Sequence, residues 1–442
     1  MKTESSDEAL RDGVAARERA EGAAASPSTA STLPARRSRA GSWHVMRNRD
    51  YALLFWGQMV SSAGTQMRAV ALLWQIYLVS HSNVAVGALG LVQAIPRLAL
   101  SLLGGVFADA LDRKRMLLVI NVSLAVTSAV LALTTIFHII NLPIIYAVAL
   151  ASSALSAFEF PTRQAIVPTL VTRAELSDAL SLNMVSMQLT SIVATALGGF
   201  MIAWIGLAST YWFDALSYLV VVAALLAMVV PALAAAQRAK VGVEAFAEGW
   251  RFLQAHPIIL ASLSLDFFAT FFGSPRALLP FYATNVYHTG AAGLGVLLAA
   301  TSIGAVALAP LTGRIGRFRR QGLGVVLAVI GWGVAIVLFG LAPGWLWLGV
   351  AFLAIAGAAD MVSMILRGII VQLTSPDELR GRMSAVSSMF TIGGPMLGQF
   401  ESGVVAAILT PELSVVGGGL ATIAATLLIA AKVPVLLKSR LQ

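Results

Sequence analysis

The chain has 442 residues, of which 58% are hydrophobic and only 12% are charged. This is more apolar surface than a soluble core can hide, so the composition excludes an ordinary soluble protein and predicts one that is solvated by lipid. The net charge of +9 does not predict a nucleic-acid partner, because membrane proteins accumulate Lys and Arg on their cytoplasmic side. The chain has no cysteine and five scattered histidines, so we predict no metal and no cofactor.

Residues 1–46 differ in composition from the rest of the chain. They are rich in Ala, Ser, Arg and Glu and include Pro27 and Pro34. Such a segment cannot bury enough apolar surface to fold, so we predict a disordered cytoplasmic tail. No apolar run precedes Tyr51, and we therefore expect the first span to act as the targeting signal.

Apolar runs long enough to cross a bilayer recur along the remaining chain. About 20 helical residues are needed to cross hydrocarbon roughly 30 Å thick. The run 219–230 is apolar on every side, which indicates helices and not the alternating strands of a barrel. The predicted spans are 51–79, 84–107, 116–137, 143–160, 181–205, 211–230, 257–281, 292–312, 323–341, 345–367, 383–409 and 413–431. The sequence thus predicts an all-α membrane protein of twelve helices.

The thirty Lys and Arg residues are distributed unevenly over these spans. Arg68, Arg97, Arg276 and Arg367 lie within spans, and the other twenty-six lie in the N-terminal segment, after even-numbered spans or at the C-terminus. Cytoplasmic loops are enriched in Lys and Arg. We therefore predict a multi-pass protein of the cytoplasmic (inner) membrane with both termini in the cytoplasm.

The two halves of the chain resemble each other at an offset of about 204 residues. The aligned pairs are Arg113 with Arg317, Arg163 with Arg367, Thr172 with Ser375 and Glu175 with Glu378. The last two pairs predict capping boxes before spans 5 and 11. The repeat predicts two pseudo-symmetric six-helix bundles, 47–231 and 257–433, with a central cytoplasmic linker at 232–256 and a tail at 434–442. Parallel repeats of this kind place a transport site between the halves, although a duplicated scaffold without transport is an alternative.

The segment from Gly105 to Arg115 resembles the signature between helices 2 and 3 of the major facilitator superfamily. Asp109, Arg113 and Lys114 match the signature, whereas Ala110 and Asp112 depart from it. The resemblance implies the twelve-helix fold of that superfamily, and it implies that Gly105, Asp109, Arg113 and Lys114 form a cytoplasmic gate. Segments 158–168 and 379–383 are similar to those of its proton-coupled drug and siderophore exporters, the group of the enterobactin exporter and the macrolide efflux pumps. Ala194 and Thr195 stand where the family has a Gly-Pro pair.

Three carboxylates lie within spans of the second half and are candidates for proton coupling: Asp266, Asp360 and Glu401. An ionisable group within a span costs several kcal/mol unless it is paired or hydrated, which makes each a functional candidate. Structural ion pairing is the alternative for each of them. Arg367 lies seven residues after Asp360 on the same helical face, where pairing and snorkelling both remain open.

Polar residues in spans 1 and 2 are candidates to line a substrate cavity: Gln58, Thr65, Arg68, Gln75, Gln93 and Arg97. The two guanidinium groups can bind an anion or a carbonyl group through fixed donors, or they can pair with carboxylates of the second half. Arg276, directly after Pro275, is predicted to lie at a gate or interface. Four arginines counted against three carboxylates within the spans favour an anionic substrate.

These observations favour a proton-coupled exporter of a small amphipathic or anionic compound, a siderophore or drug, that works by alternating access as a monomer in the bilayer. Direct use of ATP is not expected, because the chain lacks a GxxxxGK[ST] loop. An enzyme is not expected either, because no Ser/His/Asp set or metal cluster converges on one side. Uptake of a nutrient or lipid on the same fold, or a non-transporting membrane receptor, are the alternatives.

The predicted orientation can be tested by cysteine labelling, since the natural chain contains no cysteine. Ile139→Cys, between spans 3 and 4, should react with an impermeant maleimide in intact cells. Phe318→Cys, between spans 8 and 9, should react only after permeabilisation. The reverse pattern, or labelling of both residues from outside, would contradict the predicted topology.

Overall fold

The computed structural model describes residues 42–110, 112–228, 243–342, 344–376 and 379–438. Residues 1–41 of the predicted tail lie outside this set, and the side chains of residues 101–110 are also outside it. Ser42–Arg47 forms a short 3-10 helix. The described residues include no β-strand, so the fold class is all-α, as the composition and periodicity predict.

Helices of 16 residues or more occupy most of the described chain. They are α1 (Arg49–Ser80), α2 (Asn83–Ala110), α3 (Arg113–Ile136), α4 (Leu142–Leu170), α5 (Leu176–Trp204), α6 (Leu207–Ala227), α7 (Pro257–Phe272), α8 (Gly290–Ala307), α9 (Gln321–Leu341), α10 (Leu346–Thr374), α11 (Arg380–Ile408) and α12 (Pro411–Lys432). The shorter linker helix, Val243–Ala255, precedes α7. Each predicted span overlaps one of the long helices, although α4 continues through Pro161 and Pro168 for ten residues beyond the predicted boundary.

Nine of these helices in the described chain are long and apolar enough to cross a membrane. A tenth span arises only if α7 is counted together with the end of the linker helix, from which it is bent by 102°. Helices α1 and α11 are long enough but are too polar over their length, because both carry Ser, Thr, Gln and charged residues. The chain is a multi-pass membrane protein, and the count of twelve spans stays a prediction.

Two helix pairs join the first six long helices to the last six: α2 packs against α11, and α5 packs against α8. Their backbones approach closely where glycines remove the side chain. A Cβ atom at Gly87 of α2 would lie 2.5 Å from the carbonyl oxygen of Gln399, and one at Gly199 of α5 would lie 2.5 Å from that of Ala291. Both contacts lie toward the end of the bundle with the turns 81–82, 205–206 and 409–410, which we call the closed end. The linker helix lies at the opposite end, which we call the open end.

Helix α7 is broken where the sequence predicts a continuous span at 257–281. The helix ends at Phe272, the segment 273–278 is irregular, and a short helix, Leu279–Phe281, continues into a π-helix, Tyr282–Val286. Pro275 accounts for part of the break because it has no N–H to donate to the preceding turn. Carbonyl groups beside the break accept from side chains of other helices: Trp332 Nε1 donates to Gly273 O at 3.2 Å, and Thr422 Oγ1 donates at 3.4 Å to Ala269 O, which also accepts from the Gly273 N–H at 2.8 Å. Irregular backbone at this depth is tolerated because such donors replace water.

The linker helix is held against α11. Glu248 forms an ion pair with Arg382, and the Trp250 ring stacks on Phe390 with ring centroids 6.3 Å apart. The predicted capping box before α5 forms only in part. Glu175 accepts hydrogen bonds from the Thr172 backbone N–H and hydroxyl, but a turn intervenes and the helix begins at Leu176. Glu378, of the second predicted box, lies outside the described residues.

The close backbone contact at Gly199 can be tested with a reporter cysteine, Thr301→Cys, on α8, the helix that Gly199 contacts. Adding Gly199→Ala should push α5 away from α8, because the new Cβ would meet backbone atoms and not a flexible side chain. We expect faster maleimide labelling of the cysteine from outside intact cells. Gly331→Ala, where the nearest neighbour of a Cβ lies 3.8 Å away, is the matched control. Equal labelling with both alanine variants would contradict a role for Gly199 in closing this end.

Candidate functional site

A cavity of about 910 Å³ lies between the two sets of helices. Its walls come from both sets, namely from α1, α4 and α5 and from α7, α8, α10 and α11. It extends to Val167 and Leu180, near the ends of α4 and α5 at the open end. In the other direction it reaches the break in α7, so the cavity is accessible from the open end while the helices meet at the closed end.

The cavity wall is amphipathic. Five methionines lie on it, together with many Ser, Thr, Gln and Asn side chains; the methionines are Met59, Met184, Met187, Met361 and Met364. Thioether side chains are flexible and polarisable, so they adapt to apolar and aromatic ligands of different shapes. Trp332 of α9 also reaches the cavity, although the rest of that helix is almost entirely apolar.

Asp360 is the acidic residue on the cavity wall among the described side chains. It is half-buried, and it forms no ion pair or hydrogen bond with the described residues. Arg367, two turns further along α10, does not pair with Asp360. It forms a buried ion pair with Asp266 of α7, and Thr391 Oγ1 lies 3.5 Å from the same carboxylate.

A second buried ion pair lies within the first six helices. Arg68 Nε of α1 is 3.3 Å from Asp214 Oδ2 of α6, and the exposed fractions of the two side chains are 8% and 0%. The guanidinium also donates to Ser128 Oγ at 3.2 Å and Ser152 Oγ at 3.3 Å, while Ser128 Oγ donates to Asp214 Oδ2 at 2.5 Å. Arg68 Nη2 also donates a hydrogen bond to the Tyr218 hydroxyl oxygen at 3.4 Å. This network links α1, α3, α4 and α6 inside one half.

The remaining polar candidates of spans 1 and 2 are divided between the cavity and the packed interior. Gln58 lines the cavity. Thr65 bonds to Tyr218 OH at 3.0 Å, and Gln75 donates to Thr135 Oγ1 at 2.8 Å while accepting from Tyr211 OH at 2.6 Å. Gln93 is half-buried on α2.

The candidates Arg97, Arg276 and Glu401 have no carboxylate or guanidinium partner among the described residues. Arg276 lies in the break of α7 and lines the cavity, and Arg97 is half-buried on α2. Glu401 is half-buried on α11, two residues before the glycine that contacts Asn83 of α2 at the closed end.

The structure describes the side chains of two residues of the predicted gate motif, Arg113 and Lys114. Arg113 donates to Ala165 O of α4 at 3.1 Å, and Lys114 Nζ donates to Met228 O, after α6, at 2.6 Å. The other two, Gly105 and Asp109, lie outside the described side chains. Asp112, which departs from the superfamily signature, caps α3: its carboxylate accepts hydrogen bonds from the backbone N–H groups of Lys114 and Arg115. The described part of the motif therefore ties α3 to α4 and α6.

Comparisons with known proteins agree with this architecture. Residues 40–440 match the family described as transmembrane secretion effector, a branch of the major facilitator superfamily. The chain belongs to this superfamily. It is 29% identical over 370 residues to the enterobactin exporter EntS of Shigella boydii, covering 84% of this chain and 88% of that one. The EntS protein of Escherichia coli O139:H28 is 28% identical over the same length.

Solved structures of other major facilitator transporters share the fold. The nucleoside transporter NupG aligns with a TM-score of 0.69 and 15% identity over 86% of this chain and 98% of that one. A POT family transporter in complex with 5-aminolevulinic acid aligns with a TM-score of 0.70 and 12% identity over 88% and 97%. An inward-facing bacterial homologue of the lysosomal transporter Spinster aligns with a TM-score of 0.64 and 14% identity over 88% and 96%. The family and the fold make the chain a secondary transporter of a small molecule and not an enzyme.

Three features of this site were missed from the sequence. Asp214 lies within predicted span 6 and Glu159 within predicted span 4, so the spans hold four arginines and five carboxylates, and the charge count does not favour an anionic substrate. A carboxylate inside an apolar run is itself a signal that could have revealed Asp214. The break of α7 and the cavity contact of Trp332 have weaker signals, because Pro275 alone does not reveal which donors surround it.

The Arg68–Asp214 pair yields a stability prediction. Asp214→Asn should lower the free energy of unfolding by about 3 kcal/mol, because it leaves a buried guanidinium without a counter-charge. Thermal unfolding of the purified protein in detergent would report the loss. The double variant Arg68→Gln/Asp214→Asn, which removes both charges, should recover much of it. A single variant as stable as the unmodified protein would contradict this account of the pair.

Proposed function

We propose that this transporter is a proton-coupled exporter of a small amphipathic, anionic compound, and that it works as a monomer by alternating access. The observation that carries the proposal is Asp360, a carboxyl group that has no counter-ion among the described residues and lies on the wall of a cavity between the two halves. The similarity to proteins named as enterobactin exporters supports export and a siderophore-like substrate.

The direction of opening supports loading from the cytoplasm. The loops of the open end carry the Lys and Arg clusters of the sequence, which favours placing that end in the cytoplasm. The cavity then faces the compartment from which an exporter collects its substrate. An inward-facing state of this kind becomes outward-facing when the contacts between α2 and α11 and between α5 and α8 separate and the open end closes.

Asp360 is the most suitable of the three carboxylates to carry the proton. Asp266 already has the Arg367 guanidinium beside it, so its charge is compensated without a proton. Asp360 has no such partner in the part of the chain that the structure describes, and when water leaves the cavity protonation is the way in which its charge is neutralised. Glu401, half-buried near the closed end, is a second candidate that would meet water when that end opens.

The proposed cycle follows from these positions. Asp360 gives up its proton at the open end, the substrate enters the cavity, and the halves rock to expose both to the other side. There the substrate leaves, Asp360 takes up a proton, and the neutral carboxyl group permits the return. Under this scheme, a proton gradient drives export because only the protonated, empty carrier returns readily.

Transport in everted membrane vesicles with an acidic interior tests the proposal. Accumulation of enterobactin, a macrolide and a cationic dye would be compared for the unmodified protein, Asp360→Asn and Asp178→Asn. We expect enterobactin to accumulate most strongly, and Asp360→Asn to reduce accumulation to the level seen without a gradient. Asp178→Asn, which makes the same chemical change away from the cavity, should transport normally.

Gradient-driven accumulation that survives Asp360→Asn would remove the assignment of Asp360. If Glu401→Gln alone abolished gradient-driven accumulation, the proton-carrying residue would be Glu401 of α11 and not Asp360. If solutes accumulated only in right-side-out vesicles with acid outside, the protein would be an importer and the proposed direction would be wrong.

A further inference from the structure

A chain of three polar side chains crosses from the first half to the second beside the cavity. Gln66 Nε2 of α1 donates to Ser191 Oγ of α5 at 2.9 Å, and Ser191 Oγ lies 3.3 Å from Ser302 Oγ of α8. All three residues are half-buried. Ser302 is the member of the chain that lines the cavity, so the chain runs from the interior of the first half to the cavity wall.

The chain lies where the packed contact between α5 and α8 gives way to the cavity. Near the closed end, a Cβ atom at Gly295 of α8 would lie 2.8 Å from the Cα atom of Gly199 of α5. Ser191 and Ser302 lie about two helical turns from these glycines, toward the open end. One turn further along α5, Met187 lines the cavity. Ser302 therefore has a fixed neighbour on one side and cavity space on the other.

The order of donors and acceptors in the chain directs a proton into the cavity. The Ser191 oxygen accepts from the Gln66 amide, and the Ser191 hydroxyl group has a single proton to donate. Among the described residues, Ser302 is the acceptor within reach of that proton. Because Ser302 accepts from Ser191, its own hydroxyl proton is left to be donated to a group in the cavity.

Other hydroxyl groups of the cavity wall are used differently. Ser186 and Thr270 line the same cavity, but their hydroxyl groups donate to carbonyl oxygens of their own helices at 2.9 Å and 2.8 Å. Ser302 makes no such bond to its helix in the part of the chain that the structure describes. A donor that is not used within its own helix is the kind of group that fixes the orientation of a ligand in an otherwise apolar pocket.

We infer that Ser302 donates a hydrogen bond to an acceptor oxygen, a carbonyl or phenolic oxygen, of the transported molecule, and that Gln66 and Ser191 orient the donor. Hydrogen bonds in a chain polarise one another, so a hydroxyl group that already accepts a bond is a stronger donor. The methionines of the cavity wall hold the apolar or aromatic part of the same molecule.

The chain also connects the ligand to both halves. Ser302 belongs to the second half, and Ser191 and Gln66 belong to the first. A ligand that accepts from Ser302 therefore strengthens a hydrogen bond that the two halves share. This inference rests on the proposed transport function for the identity of the ligand as cargo, but the binding site itself can be measured without transport.

Binding of enterobactin to the purified protein in detergent, without a pH gradient, tests the inference. Enterobactin carries amide and phenolic oxygens, and calorimetry would report its affinity. We expect Ser302→Ala to weaken binding about fivefold, the loss typical of one neutral hydrogen bond, and Ser302→Thr to retain most of the affinity. Ser191→Ala should also weaken binding, but the double variant Ser191→Ala/Ser302→Ala should bind no more weakly than Ser302→Ala, because Ser191 acts through Ser302.

Ser186→Ala is the matched control, since it removes a hydroxyl group of the same cavity that is already bonded to its own helix, and it should bind enterobactin normally. An unchanged affinity in Ser302→Ala, an equal loss in Ser186→Ala, or additive losses in the double variant would overturn the inference. It would also fail if neither enterobactin nor a macrolide, both rich in acceptor oxygens, bound to the unmodified protein. Failure of proton-driven transport with intact Ser302-dependent binding would reject the proposed function and leave this site standing.

Discussion

The low polarity of the membrane interior constrains every charge and every free backbone group in this protein. An ionised group that is removed from bulk water loses a large solvation free energy, which must be offset by a counter-charge, by hydrogen-bond donors or by remaining water. Arg68 has Asp214 and two serine hydroxyl groups, and Arg367 has Asp266. The carbonyl groups at the break of α7 have Trp332 and Thr422 as donors. Asp360 and Arg276, which lack such partners among the described residues, lie on the cavity wall where water or a ligand can reach them.

Different interactions hold each half together and join the two halves to each other. The two buried ion pairs each connect helices of one half, and Arg113 and Lys114 of the predicted gate motif also bond within the first half. Contacts between the halves at the closed end depend instead on glycines that let backbones approach. Such contacts can separate without leaving a charge unpaired. This arrangement supports the proposed cycle, in which the halves rock as units while groups between them respond to protons and ligand.

Much of this architecture follows from sequence patterns, because lipid imposes helix length, apolarity and loop charge directly. Each apolar run contains a long helix, although the one at 257–281 is broken after Phe272, and the chain has the all-α transporter fold that the gate motif implied. The site was harder to predict because pairing depends on distance in space. Arg68 and Thr65 lie on the predicted polar stripe, yet they bond inside the first half, whereas Gln58 on the same helix faces the cavity. Sequence spacing identified Asp360 and Arg367 as neighbours on one face, but it could not show that Asp266 of α7 occupies the position beside Arg367.

The central claim is that two rigid halves close one end as they open the other, and that the charge on Asp360 sets the balance. Pulsed electron spin resonance measures it most directly, with one label pair at Val79 and Leu409 for the closed end and another at Arg173 and Leu373 for the open end. We expect Asp360→Asn, which imitates the protonated carboxyl group, to let the empty carrier exchange between the two states, so that a longer first distance and a shorter second one appear in the same fraction of molecules. Distances that stay unchanged, or an open end that closes without any movement at the other end, would contradict it.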